Sequence, residues 1–395
     1  MKEYYRVQAD INLDAIYNNI LNTRKIIDEK SKIMAIIKAD GYGHGSVAIA
    51  KTIDELVGAY GVATVEEAIE LRKAGINKMI LILGVTHRKQ YDLIIKYDIS
   101  QTVFKYEDAR LLSLEAKNQG KTAKIHIKLD TGMGRIGYKI NDESIDEIVK
   151  ISKLDNINIE GIFTHFACAD EKDKTSANKQ LALYDEFVNK LSSKGVEIPI
   201  KHVSNSAGII DMPYANKDIV RSGISTYGLY PSDEVDKERL KLEPAMSIKS
   251  YITYIKTLEA GYGISYNSTY VTNKTTKIAT VPVGYADGFP RQLSSKGRVL
   301  INGQYAPIIG RICMDQFMVD VTDIEDVKEF DEVVIVGKSK DKYISVEEQA
   351  KLSGSFNYEF VCDIGKRIPR VYFRNNKKVG TFDYYECTDV ALDME

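Results

Sequence analysis

The sequence contains no long uncharged apolar run, so no single segment is expected to span a membrane as a helix. Net charge is nearly absent as well. The 54 Lys and Arg against 56 Asp and Glu leave −2 at pH 7, which removes any bulk electrostatic case for nucleic acid or an anionic membrane surface. The leading residues Met1-Lys2-Glu3-Tyr4-Tyr5-Arg6 lack the apolar core of a secretion signal. Cysteine is scarce: Cys168, Cys313, Cys362 and Cys387 are scattered without metal-like spacing and are expected as free thiols in a reducing cytoplasm. Cys313 reads as a small buried hydrophobe rather than a reactive thiol. The five histidines are dispersed, which argues against a His/Cys metal site. Internal repeats and low-complexity segments are also missing.

What is present is an ordinary soluble composition, 44% hydrophobic and 28% charged. At 395 residues the chain is too long for one typical core, so two domains are expected. Up to about residue 230, short apolar runs alternate with amphipathic patterns. Strands are expected at 33–37, 60–63, 79–83, 99–104, 123–129, 157–164, 201–203 and 224–227, and helices at 46–57, 65–74, 106–118, 144–153 and 176–194. Thr64 with Glu67 three residues on forms a capping-box signature at the second of these helices. About eight βα units match an α/β fold of the (β/α)8 barrel type better than an open doubly wound sheet. A charged, proline-flanked stretch near 231–244 reads as the linker. Beyond it the period becomes two, at 247–255, 277–283, 299–301 and 317–321, with a further apolar strand at 331–337 and one short helix at 346–352. The expected organisation is a barrel domain over 1–240 and a C-terminal mostly-β domain over 241–395, to which the residues before Asp10 could pair.

The chemistry centres on Ile33-Met34-Ala35-Ile36-Ile37-Lys38-Ala39-Asp40-Gly41-Tyr42-Gly43-His44-Gly45. An apolar strand ends in a lysine and runs into a glycine-rich loop. The C-terminal ends of barrel strands are where this fold keeps its active site. A lysine partly desolvated there loses its proton more readily and becomes a nucleophile or base; alone, it could equally be a strand-end lysine reaching water. Other loops expected at the same mouth supply Lys128 to Gly137, Thr164-His165-Phe166, His202 to Gly208 and Arg221-Ser222-Gly223-Ile224. Ser206 and Gly223, after the seventh and eighth strands, suit a phosphate. A phosphate site opposite a strand-end lysine points to pyridoxal 5′-phosphate held as a Schiff base. Arg221 is placed to face the ring nitrogen. It would not readily give up a proton, leaving the ring a weaker electron sink suited to brief proton removal and return. A salt bridge from Arg221 to Asp218 is the structural alternative.

The segment 35–45 resembles the cofactor-lysine motif of the alanine racemase family. Further matches follow in family order and cover nearly the whole chain: 128–137, 202–208, 220–228, Ser265-Tyr266, Val283-Gly284-Tyr285-Ala286-Asp287-Gly288 and Gly310-Arg311-Ile312-Cys313-Met314-Asp315-Gln316. The resemblance implies a barrel holding pyridoxal 5′-phosphate, a C-terminal β domain, a head-to-tail homodimer, and interconversion of L- and D-alanine to supply D-alanine for peptidoglycan. By the same resemblance, Lys38 is the Schiff-base lysine and the base on the D side. Tyr266, from the partner subunit, is the base on the L side, because replacing a proton on the opposite face needs a second group. Tyr42, Ser206, Gly223 and Ile224 match phosphate contacts, and Arg135 the residue beside the cofactor's phenolic oxygen. Lys128 matches a lysine often carried as a carbamate, with an unmodified lysine as the alternative. His165 and Arg221 would orient one another and the ring, supported by His202 and Asn205. Met314 and Asp315 match partner-subunit residues near the substrate carboxylate, Tyr285 a tyrosine narrowing the entrance, and Asp170, Arg291 and Arg311 charges further out. Three positions depart from the commonest family pattern. Asn267 stands where glycine is common, Ser222 where proline is, and Lys366 where a tyrosine lines the inner gate. The last leaves open a relative acting on serine or lysine. A non-catalytic carrier of the cofactor is a further alternative, against which the C-terminal β domain argues.

Overall fold

The computed structural model describes residues 2–386; Cys387 lies outside them. Two compact units are present. One comprises Ala15–Gly41 and Ser46–Pro244, the other Met1–Asp14, Tyr42–Gly45 and Ala245–Glu395. The boundary expected at residue 240 thus falls at Pro244, and the first fourteen residues and a four-residue turn group with the C-terminal unit.

The first unit is an eight-stranded parallel sheet. Its strands run in the order Ile200–His202, Ile157–Phe163, Ala123–Lys128, Ser100–Val103, Met79–Ile82, Ala59–Val62, Lys32–Ile36, Ile219–Ser222. The two end strands share no ladder, but Arg221 N–H donates to Ser204 O across the gap at 3.0 Å, so the barrel is nearly closed. Strands such as Lys32–Ile36 and Ala59–Val62 are buried on both faces, which is why they read as continuous apolar runs. Helices cover the outside. Asp142–Ile151 buries Ile145, Ile148 and Ile151 at helical spacing. Val65–Lys73 opens with the capping box formed by Thr64 and Glu67.

The eighth strand is a correction. It is Ile219–Ser222, whereas the segment Ile224–Tyr227 forms a 3-10 turn ended by Gly228 at φ +81. Arg221 sits inside the true strand, and that internal cation hid the apolar pattern.

The second unit is built on an eleven-stranded sheet. Val7–Asn12 is an interior strand, third from one end, antiparallel to Met246–Tyr251 and parallel to Arg370–Arg374. The alternating stretch 247–255 is two strands, Met246–Tyr251 and Tyr254–Leu258, which pair with different neighbours. A second short helix, Asn357–Cys362, follows Val346–Ser353.

Candidate active site

The first barrel strand delivers Lys38 half-buried at its tip. The backbone then does something rare. Ala39, Asp40, Gly41 and Tyr42 have φ of 51, 50, 59 and 50°, four consecutive left-handed residues. Each non-glycine residue there costs about 1–2 kcal/mol, so the turn must be held by its surroundings. Ala39 N–H donates to Glu67 Oε1 at 2.7 Å, Gly41 N–H to Ile37 O at 2.9 Å, and Ser46 N–H to Asp40 Oδ1 at 2.8 Å. Glu67 also accepts from Ala63 N–H at 2.7 Å. The carboxylate recognised as a helix cap therefore also supports the turn after Lys38. Glu67→Ala is expected to cost about 1–3 kcal/mol, seen as a Tm lowered by several degrees and faster loss of any group held at Lys38. An unchanged Tm and unchanged retention would remove this role.

Lys128 is 2% exposed. Its Nζ donates to Leu129 O at 2.5 Å and lies 5.4 Å from the Phe163 ring centroid. Burial, with Arg221 and Arg135 adding to it against Asp130, pushes its pKa down to about 7. The following loop is shaped by Asp130, whose Oδ1 accepts N–H groups from Gly132, Met133 and Gly134 at 3.0, 2.9 and 3.0 Å. Gly137 is required there: a Cβ on it would lie 2.5 Å from Asp130 N. The loop leaves Arg135 exposed beside a cavity of about 770 Å³.

Arg221 is 3% exposed and has no carboxylate partner among the described residues. Nη1 donates to His202 Nδ1 and His202 O, both at 3.1 Å. Nη2 donates to Thr164 O and Val203 O, both at 2.8 Å, and to His165 Nδ1 at 3.3 Å. Both terminal nitrogens are thus committed. Among the described residues Nε–H has no acceptor, so it is the guanidinium donor left for another group. Burial lowers the Arg221 pKa to about 10, still cationic at neutral pH. Burial first, then Arg221, Arg135, Lys128 and Lys38, hold His165 well below its usual pKa. Four cations therefore act on one half-buried neutral imidazole, a mouth suited to an anion.

Ser206 lies at the start of the short helix Ser206–Asp211, capped by Asn205 through Gly208 N–H at 2.9 Å. Its Oγ accepts from Gly223 N–H at 2.9 Å and from Ser225 Oγ at 2.9 Å. Ile224 starts the adjoining 3-10 turn. Among the described residues the buried Ser204 Oγ has no partner. Ser222, at the position of the common proline, uses its hydroxyl on Ser225 and Thr226.

In the C-terminal unit, Tyr42 is buried, its ring 6.1 Å from that of Tyr358. Arg370 Nε–H donates to Gly43 O at 2.8 Å. Tyr266 is 65% exposed on a strained turn, with Ser265, Asn267 and Ser268 at φ 63, 62 and 45°. Asn267 explains itself: after glycine, asparagine is among the residues that best tolerate that conformation. Ser265 Oγ–H donates to Arg311 O at 2.6 Å, and Tyr285 and Ala286 N–H donate to Cys313 O and Met314 O at 3.1 and 3.0 Å. Tyr266, Tyr285, Met314 and Asp315 therefore share one platform. Arg367, which sequence reasoning missed, bridges Asp315 at 2.8 Å and the buried Asp287 at 3.4 Å. Cys313 is half-buried within this platform rather than in a core. Lys366 is exposed, with Nζ 5.7 Å from the Tyr385 ring centroid. Asp170 is half-buried, Arg291 exposed and Arg311 half-buried. No group of three or more His, Cys, Asp or Glu among the described residues could hold a metal.

Fold and site define an α/β barrel whose cationic mouth lies beside a strand-end amine. The profile of the alanine racemase N-terminal domain matches residues 11–231, and that of the C-terminal domain matches 245–372. Alanine racemase 1 of Clostridium acetobutylicum is 47% identical over 96% of this chain and 98% of its own length. The solved alanine racemase of Clostridium difficile 630 superposes with a TM-score of 0.94 at 45% identity, covering 97% of this chain and all of that one. That of Bacillus anthracis, solved with bound L-Ala-P, gives 0.92 at 36% identity, over 98% of this chain and all of its own. The chain belongs to the alanine racemase family.

Proposed function

We propose that this chain binds pyridoxal 5′-phosphate at Lys38 and, as a cytoplasmic homodimer, interconverts L- and D-alanine to supply peptidoglycan synthesis. The observation that carries the reading is Arg221, whose terminal nitrogens are spent on the barrel while Nε–H stays open among the described residues. That is the arrangement a ring nitrogen needs from a donor that stays protonated. Ser206, Gly223 and Ile224, with Asn205 beneath and Tyr42 as a further donor, would hold the phosphate. Arg135 would face the phenolic oxygen and the substrate carboxylate.

When bound, the cofactor delocalises the electrons left on the substrate Cα as its proton departs. The work of the chain is to move that proton. Lys38 takes or returns it on the D face. The partner subunit's Tyr266 does so on the L face, while Met314, Asp315 and Tyr285 shape the carboxylate end and the entrance. Arg221 stays protonated and keeps the electron sink shallow, which favours rapid return of the proton over side reactions. The platform bearing Tyr266, Tyr285 and Met314 is 65, 42 and 52% exposed at those residues, more apolar surface than a free face needs, and supports a second subunit covering it.

Lys128 is proposed as a carbamate. Its amine is about half neutral near pH 7. Attack on carbon dioxide forms a C–N bond, loses a proton and turns a cation among cations into an anion able to hold Arg135. Enzyme equilibrated with 13C-bicarbonate should show one carbamate resonance that Lys128→Met lacks; the same spectrum from both would end the idea. In carbon-dioxide-free buffer the free amine gives a second readout. Its native pKa is depressed, so between about pH 7 and 10.5 the unfolded chain holds a proton the native state has lost. Stability should rise with pH across that window relative to Lys128→Met, by up to about 4 kcal/mol.

The deciding assay is racemisation of L-alanine, L-serine and L-lysine followed by chiral chromatography. Alanine should turn over fastest, by at least about tenfold. Faster serine or lysine would mean that Lys366, in place of the gate tyrosine, has reset the specificity, and no turnover of any would defeat the proposal.

A further inference from the structure

Behind Arg221 runs a line of buried polar groups that the mechanism above does not use. His202 Nε2 lies 3.0 Å from His126 Nδ1. Both imidazoles are fully buried. Among the described residues His126 Nε2 has no hydrogen bond, and it faces Glu160 Oε2 at 3.8 Å. Glu160 in turn accepts from Ser100 Oγ–H at 2.7 Å.

Two features of the barrel are spent on this line. The ladder between Ala123–Lys128 and Ile157–Phe163 pairs Ile125 with Ile159 but His126 with Gly161, so Glu160 is the extra residue of a β-bulge. Bulges re-aim a side chain that the regular pleat would send elsewhere. The next residue is glycine because a Cβ there would lie 2.2 Å from His126 Nδ1. His202 is also stacked on Phe163 at 4.6 Å and 9°, which leaves its ring little freedom to turn.

We infer that Glu160 and His126 are positioning residues for Arg221, setting the tautomer of His202 from the far end of the line. Arginine can only donate. His202 Nδ1 must therefore accept, which places the His202 proton on Nε2. That proton is given to His126 Nδ1, so His126 carries its own on Nε2, pointing at Glu160. Burial holds both imidazoles below their ordinary pKa and so neutral. Burial alone would raise the Glu160 carboxyl, but the attraction of the His126 ring edge at 3.8 Å and the hydrogen bond from Ser100 outweigh it and hold it below its ordinary pKa. Only the carboxylate end makes every donor in the line point one way. An amide at 160 could donate to His126 Nε2, flip both imidazoles and turn a proton against Arg221 Nη1.

The inference rests on the proposal that Arg221 faces the cofactor ring, and its test separates the two. Protein labelled with 15N-histidine, with and without cofactor, should show His126 and His202 protonated at Nε2 and bare at Nδ1. Glu160→Gln should mix the tautomers at both sites and lower kcat about tenfold with KM within twofold, and Glu160→Asp should restore both readouts. If Glu160→Gln folds poorly, Ser100→Ala, which frees the carboxylate without touching His126, should sharpen or preserve the wild-type tautomers. A wild-type His202 protonated at Nδ1, or Glu160→Gln with unchanged tautomers and kcat, would overturn the inference. The spectra decide this even in a protein that racemised nothing.

Discussion

Lys38→Ala is expected to lose racemisation by at least about ten-thousandfold, because in the proposed mechanism one substitution removes both the covalent anchor and one of two bases. Borohydride reduction of the loaded wild type should fix the cofactor on Lys38, and the same treatment of Lys38→Ala should label nothing. Label on another lysine would remove the foundation of the reading. Lys38 ends a strand buried on both sides and enters four left-handed residues. Its placement is therefore rigid, and Lys38→Arg should fail almost as completely: the guanidinium keeps its proton and cannot serve as nucleophile or base.

The second large effect belongs to Tyr266→Phe. The equilibrium constant between enantiomers is one, so kcat/KM must fall equally from both sides, by about a hundred- to ten-thousandfold for a lost general base. The asymmetry appears instead in exchange of the α-hydrogen with deuterated water. D-alanine should still exchange through Lys38, while exchange of L-alanine collapses. Equal loss for both enantiomers would sink the two-base assignment. Phenylalanine keeps the ring and its exposure on the strained turn, so the result isolates the hydroxyl. Dilution should lower wild-type activity in step with dissociation if the tyrosine is supplied by a partner, and a fully active monomer would refute that.

Local signals were legible in proportion to how local their physics is. The helix Tyr106–Asn118 begins and ends where its periodicity does, and the capping box at Thr64 forms as written. Expected strands agree with observed ones to within a residue for seven of the eight in the barrel. The eighth was displaced because its centre is Arg221, a buried cation stabilised by carbonyls and imidazoles from the end of the strand Ile200–His202 and from the loops after it and after Ile157–Phe163. Arg367 escaped notice because its partners, Asp287 and Asp315, lie far from it in sequence.

By itself the sequence determined the strand-end lysine, the glycine-rich loops, the change of period after residue 244 and the family motifs, since each is a matter of residue type and spacing along one chain. Only the tertiary structure decided that Val7–Asn12 lies between Met246–Tyr251 and Arg370–Arg374, that Glu67 serves both a helix and the lysine's turn, and that a bulge turns Glu160 toward His126. Strand partner and register are set by how separate segments bury their faces against one another, and a one-residue slip sends a side chain to the other face. A linear pattern does not carry that choice.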